Sequence, residues 1–240
     1  EFVRYADDSI VMCQTKEDLE KAKVIVHETL QRLGLELAED KSDDIDFHKK
    51  DFDFLGFTFN HLKLSKNRHV YYTFGPSRKS IKKFKSDIKS ITKKSCTHSF
   101  EKWTKILNPV IRGKFNYFLI PFQVAREIRL LLNERGRVMH GIPALDITKL
   151  DGYVRQRLRV SFSCRGKKHG GQAQGKLLTV KYDNKFFIKC MGLVTGAYMK
   201  AQIVFPGINI DDFILLMDSN KKKRTSSQSK KRFFQYAYTK

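Results

Sequence analysis

The chain has 240 residues, 41% of them apolar and 12% aromatic, enough for one large or two modest domains with a packed core, which excludes a wholly unstructured protein. Its 47 Lys and Arg against 25 Asp and Glu leave a formal charge of +22, a surplus that repels itself without an anionic partner, so nucleic acid or an anionic membrane surface is expected. No apolar run approaches the roughly 20 residues that span a bilayer, and Cys13, Cys96, Cys164 and Cys190 form no C-x-x-C pair, so membrane spans and zinc fingers are argued down.

The four cysteines read as reduced thiols of an intracellular, cytoplasmic protein, with an organelle left open. Charge is unevenly spread. Residues 1–60 carry 8 basic and 15 acidic side chains, and residues 61–240 carry 39 and 10. An acidic head on a basic body suits a metal-dependent site fed by a polyanion, because the body neutralises phosphates while the head holds the cation.

In chain order, Phe2-Val3-Arg4 and Ser9-Ile10-Val11-Met12 are β-prone runs around Tyr5-Ala6-Asp7-Asp8. They predict a hairpin with two adjacent carboxylates at its turn. Adjacent acids repel, so keeping both there points to a divalent metal, although Ala-Asp-Asp-Ser is also good turn chemistry by itself. A helix follows, capped by Thr15 with Asp18 at the third position, striped by Leu19, Ala22, Val26, Leu30 and Leu33, stopped by Gly34 and expected to pack on a sheet. Leu35-Glu36-Leu37 alternates as a strand and residues 39–50 read as a polar loop.

Residues 53–59, Asp-Phe-Leu-Gly-Phe-Thr-Phe, and Val70-Tyr71-Tyr72-Thr73-Phe74 predict an aromatic hairpin, in which Gly56 marks a bulge or a close backbone approach in mid-strand. From Pro76 the character changes. Ser77 opens a helix with Ile81, Phe84, Ile88 and Ile91 on one stripe, while Arg78, Lys79, Lys82, Lys83 and Lys85 lie off it, facing phosphate. A second helix starts near Ser99 and carries Phe100, Trp103 and Leu107. Asn108-Pro109 predicts a new or kinked helix through Val110, Ile111, Gly113, Phe115 and Phe118, with Trp103, Phe115 and Phe118 in the core. Residues 150–159 alternate apolar residues with Arg155, Arg157 and Arg159, residues 164–176 read as a Gly-rich loop, residues 186–205 as a helical pair, and residues 219–240 as a basic disordered tail.

Tyr5-Ala6-Asp7-Asp8 resembles the metal-binding hairpin of reverse transcriptases, and the Phe-Leu-Gly-Phe hairpin resembles their primer grip. The Leu-Asn-Pro, Arg-Gly and Asn-Tyr-Phe elements within residues 103–118 resemble the maturase-specific region, also called the thumb or X domain, of proteins encoded by group II introns, which are mobile elements. Three such motifs in the family's order weigh more than any one of them.

The resemblance implies an α+β fold: a partial reverse-transcriptase palm over 1–74, a basic helical thumb/maturase domain over 75–160, a basic extension over 161–218 and the tail over 219–240. It implies RNA-directed DNA polymerase ancestry, with Asp7 the principal ligand of Mg²⁺ and Asp8 its assistant. A third carboxylate would come from an earlier palm strand not in this chain, so that metal binding needs that strand and this chain alone is expected to be inactive. Tyr5 would shape the floor near the primer end, and Phe54, Leu55, Gly56 and Phe57 would form the grip. Arg78, Lys79, Lys82, Lys83, Lys85, Arg112, Lys114, Arg155, Arg157 and Arg159 would contact RNA, with Gly113 letting its helix approach a neighbour.

The partners implied are group II intron RNA, an RNA template with a DNA primer, and an N-terminal reverse-transcriptase fragment. The function implied is intron RNA binding and splicing assistance, joined to DNA synthesis once the N-terminal part is supplied. An RNA-binding splicing cofactor without polymerase activity is the alternative, since such a role needs only a basic, shape-reading surface.

Overall fold

Antiparallel strands built on alternating residues lead into helices built on a 3.6-residue apolar stripe, and the fold is α+β. The computed structural model describes residues 1–36, 42–64, 70–93, 98–131, 147–163 and 175–224. Strands β1 (Phe2–Tyr5) and β2 (Asp8–Val11) pair antiparallel with Tyr5 opposite Asp8, which leaves Ala6-Asp7 as a two-residue turn. Ala6 takes a φ of +52°, so the positive angle falls on the first turn position, as in a type II′ turn whose twist matches the strands it joins.

Helix α1 (Lys16–Arg32) begins at the expected cap. The Thr15 hydroxyl accepts from the Asp18 N–H at 3.1 Å and donates to the Asp18 carboxylate at 2.8 Å. It ends in a Schellman motif: Leu35 N–H donates to the Leu30 carbonyl at 2.9 Å and Gly34 N–H to that of Gln31 at 3.0 Å, with Gly34 at φ +66°. The expected strand at Leu35-Glu36-Leu37 is not there. Leu35 and Glu36 finish the helix cap instead, and Leu37 lies outside the described residues. The predicted stripe of Leu19, Ala22, Val26 and Leu30 is half-buried, but no residue of α1 is fully buried and Leu33 is 64% exposed. Beside α1 lies the two-stranded hairpin, and Phe2, Val11 and Met12 share a cleft with Asp18 and Ala22.

Strands β3 (Phe52–Phe54), β4 (Phe57–Leu64) and β5 (Val70–Pro76) form a second antiparallel sheet in that order. Gly56 is not in mid-strand. Phe54 pairs directly with Phe57, so Leu55 and Gly56 are the whole turn, at φ +47° and +73°, the type I′ pattern. Leucine in that region costs about 1–2 kcal/mol, a strain that the turn's neighbours must offset. Phe52, Phe59 and Phe74 stack across the three strands with ring centroids 5.0 and 5.2 Å apart.

The main core is helical. It joins α2 (Arg78–Ile91), α3 (Phe100–Phe118), α4 (Ile120–Leu131), α5 (Ile147–Ser163), a π-helical turn (Phe186–Cys190) and α7 (Gly196–Val204), with α6 (Gly175–Lys181) and α8 (Ile210–Arg224) packed at the outside. Ser77 and Ser99 cap α2 and α3 as the sequence predicts. Asn108-Pro109 does not start a new helix, because α3 runs through it. Trp103, Leu107, Ile111, Phe115 and Phe118 are all buried on one face, and their packing outweighs the roughly 3 kcal/mol cost of an interior proline. The Asn108 amide caps nothing in α3; it donates to the Gly192 carbonyl at 3.0 Å and accepts from Val194 N–H at 2.9 Å. Helix α8 runs to Arg224, past the predicted start of the tail at 219, and residues 225–240 lie outside the described residues.

Gly196 sits where the core leaves no room for a side chain. A Cβ there would meet Phe115 at 2.5 Å and Ile147 at 2.7 Å, both buried. Gly196→Ala is expected to cost about 1–3 kcal/mol by overpacking, and thermal denaturation should show a melting temperature lower by several degrees. Gly113, predicted to allow close approach, has nothing within 4 Å of its Cβ position, so Gly113→Ala should stabilise by about 0.4–1 kcal/mol through helix propensity.

Candidate functional site

Asp7 and Asp8 stand at the tip of the first hairpin, both exposed, with Tyr5 66% exposed across from Asp8. The nearest cation in sequence, Arg4, spends its Nε–H on the Ala6 carbonyl at 2.9 Å. Some other acids of the head are matched. Lys23 pairs with Asp44, Lys50 with Asp43 at 2.6 Å and Lys49 with Asp46 at 3.0 Å, which holds the Asp46 carboxyl below its ordinary range. Asp7 and Asp8 have no such partner among the described residues. Their hard oxygens suit Mg²⁺, but no group of three or more metal-binding side chains exists among the described residues, so the two fit part of a site.

The turn at residues 54–57 is docked onto the helical body. Ser77 N–H and the Ser80 hydroxyl both donate to the Gly56 carbonyl at 2.9 Å, and the Tyr117 hydroxyl donates to the Leu55 carbonyl. The Tyr117 ring lies 4.8 Å from that of Phe57, which is 6% exposed. These bonds consume the backbone acceptors of the strained turn, and Gly56 is required because a Cβ there would meet Ser80 Oγ at 2.9 Å. Burial, and secondarily the charge of Tyr5, raise the pKa of the Tyr117 phenol. Sequence reading passed over Ser80 and Tyr117. The available signal was a single hydroxyl-bearing ring between Asn116 and Phe118, the only tyrosine of α3.

Arg78, Lys79, Lys82, Lys83 and Lys85 are all exposed on α2, opposite buried Phe84 and Ile88. Lys89 extends the same face and was missed, though it follows Lys85 by one turn. Arg78, Lys79, Lys82 and Lys83 have no ion pair among the described residues, whereas the Lys85 ammonium rests 5.7 Å over the Tyr153 ring. On α3, Arg112 is exposed and Lys114 half-buried.

The arginines of α5 turn inward, which removes them from this face. Arg155 and Arg159 are each 8% exposed. Arg157 donates to the Thr92 carbonyl at 2.7 Å and its hydroxyl at 3.1 Å, closing the C-terminus of α2. Arg159 donates to the Tyr182 carbonyl at 2.9 Å and lies 5.1 Å over Phe187. Alternation along a helix does not keep every second residue in water, because residues two apart lie about 200° apart around its axis, and here α5 is packed against α2, α6 and α7.

Asp151, one turn before Arg155, accepts from Gly196 N–H at 2.8 Å and Ala197 N–H at 2.9 Å and so caps α7. Burial pushes its carboxyl up to about 6, opposed by those two bonds and by Arg155. A folded-state pKa above the unfolded one makes this contribution fully present below about pH 4 and lost as pH rises through about 6. The difference from 3.8 corresponds to about 3 kcal/mol. The stability of the native chain relative to Asp151→Asn, measured by denaturant titration, is therefore expected to fall between pH 4 and 6 and level off above.

No helix of the described residues is long and apolar enough to cross a membrane, and Cys13 and Cys190 are free thiols. Comparison with protein families matches residues 1–59 to reverse transcriptase (RNA-dependent DNA polymerase) and residues 81–133 to the group II intron maturase-specific domain. No curated protein matches the chain.

Proposed function

The chain belongs with the reverse transcriptase/maturases of group II introns, and from that premise we propose that it binds intron RNA through the outward face of α2 with Arg112 and Lys114 of α3, and so assists splicing. The observation that carries this reading is the run of exposed cations on α2, which make no ion pair among the described residues and are held outward by Phe84 and Ile88 in the core. Such a face neutralises phosphates, and RNA helices are recognised largely through shape and backbone.

In the same proposal the chain takes part in RNA-directed DNA synthesis on an RNA template with a DNA primer. Asp7 and Asp8 would hold Mg²⁺ together with a carboxylate from an N-terminal reverse-transcriptase part. The metal would supply charge neutralisation at the transferring phosphate. Tyr5 would floor the primer end, and residues 54–57 would hold it, braced by Ser80 and Tyr117. A second reading is a splicing cofactor with no polymerase activity, since RNA binding through the α2 face needs only a basic, shape-reading surface.

Binding of group II intron RNA by the full chain, titrated against salt, tests the first proposal. A steep fall of log affinity with log salt is expected, alongside faster splicing of the intron when the protein is present. Binding that is flat in salt would overturn it.

A further inference from the structure

A cleft of about 510 Å³ lies between α3 and α4 on one side and α7 on the other, and none of the residues assigned above lines it. Asn116, Gln123 and Gln202 bring three primary amides to its wall. Among the described residues no hydrogen bond engages any of these side chains. Arg126 and Glu127 add one charge of each sign, so the cleft has no net positive charge with which to draw a phosphate. Apolar Leu119, Met199 and Ile203 complete the wall.

This is the lining a planar, neutral, hydrogen-bond-rich molecule requires, and the volume is in the range of small-ligand sites, which run from about 300 to 1,000 Å³. A primary amide offers a donor and an acceptor side by side, the complement of the N6 and N7 edge of adenine. Single-stranded RNA offers such edges once a base leaves its stack, and the flat face of the base then needs apolar contact. Arg112 is exposed on α3 one turn before Asn116, where it can hold the phosphate of the same nucleotide.

We propose that this cleft receives one unstacked purine base of single-stranded RNA, adenine for preference, read by the amides of Asn116, Gln123 and Gln202. The inference rests on the RNA-binding reading above and adds a base-specific component to it.

The test is fluorescence anisotropy of the full chain with short homopolymers of A, G, U and C and with an abasic strand of equal length. The A strand is expected to bind about 10-fold tighter than the abasic strand, the scale of one bidentate base contact. Gln123→Ala combined with Gln202→Ala should erase that preference and leave the salt slope unchanged. Both side chains are exposed and their truncation removes no core contact. As an independent measurement, a strand carrying 8-azidoadenine should photocrosslink to residues 199–203 in the native chain.

Equal binding of all strands with a steep salt dependence would overturn the cleft assignment and leave the α2 face standing. So would binding of free AMP as tight as that of the A strand, which would make this a site for a soluble nucleotide. Failure of every strand to bind would overturn both readings.

Discussion

Replacing Lys79, Lys82, Lys83 and Lys85 together by alanine is expected to weaken RNA binding by up to about a thousandfold at 0.1 M salt and to reduce the log-log salt slope by about 3. Each phosphate contact releases counterions worth about 0.7 of slope on single strands and 0.9 on duplex, so four contacts set that scale. Lys85 will contribute least, because its ammonium already lies over Tyr153. The fold should survive, since all four side chains are exposed and the stripe of Phe84 and Ile88 is untouched. Arg157→Ala is the informative contrast: it uncaps α2 at Thr92 and should lower stability while leaving the slope alone. An unchanged slope in the quadruple variant would sink the proposed interface.

Primer extension is expected to be absent for this chain alone and to appear when an N-terminal reverse-transcriptase fragment is added. In that mixture Asp7→Ala should reduce it to background, and Asp8→Ala should reduce it less. Two exposed carboxylates on a hairpin tip give Mg²⁺ too few oxygens, and tight binding takes further carboxylates and substrate phosphates. Extension by the lone chain would refute the incomplete-site argument. Extension by the mixture that is indifferent to Asp7→Ala would remove the metal role from the hairpin. If no mixture extends a primer while intron splicing is still accelerated, the cofactor reading holds.

The sequence made local features legible where one residue type does one job. Thr15, Ser77 and Ser99 announced three helix starts through their hydroxyls, Gly34 announced a helix end, and the α2 stripe separated its apolar and basic sides. The acid pair was placed at a turn correctly because two β-prone runs flank it. What failed depended on partners distant in the chain. Pro109 was read as the start of a new or kinked helix, whereas five buried residues on one face of α3 carry a single helix past it. Gly56 was read as mid-strand because Phe54 and Phe57 look continuous, whereas the Tyr117 and Ser80 bonds that support a turn there come from 62 and 24 residues away. Arg155, Arg157 and Arg159 were read as RNA contacts from charge alone, since nothing local reveals that the Thr92 and Tyr182 carbonyls, 65 and 23 residues away, take up Arg157 and Arg159. Gly113 and Gly196 make the same point: each is a glycine within a helix, and only the packed neighbours show which is crowded.

The anchoring of residues 54–57 constrains how chain length can drift over evolutionary time. Gly56 is bonded to both Ser77 and Ser80, and Leu55 to Tyr117, so adding or deleting one residue within 54–57 or 75–80 must break at least one of these bonds and flip the side chains beyond it. Farther along the β4–β5 ribbon the pairing already slips, between Asn60 and Lys63. Insertions in descendants of this chain should therefore collect at the far end of that ribbon, and the spacing from the turn to the first basic helix should stay constant even where neither segment keeps its sequence.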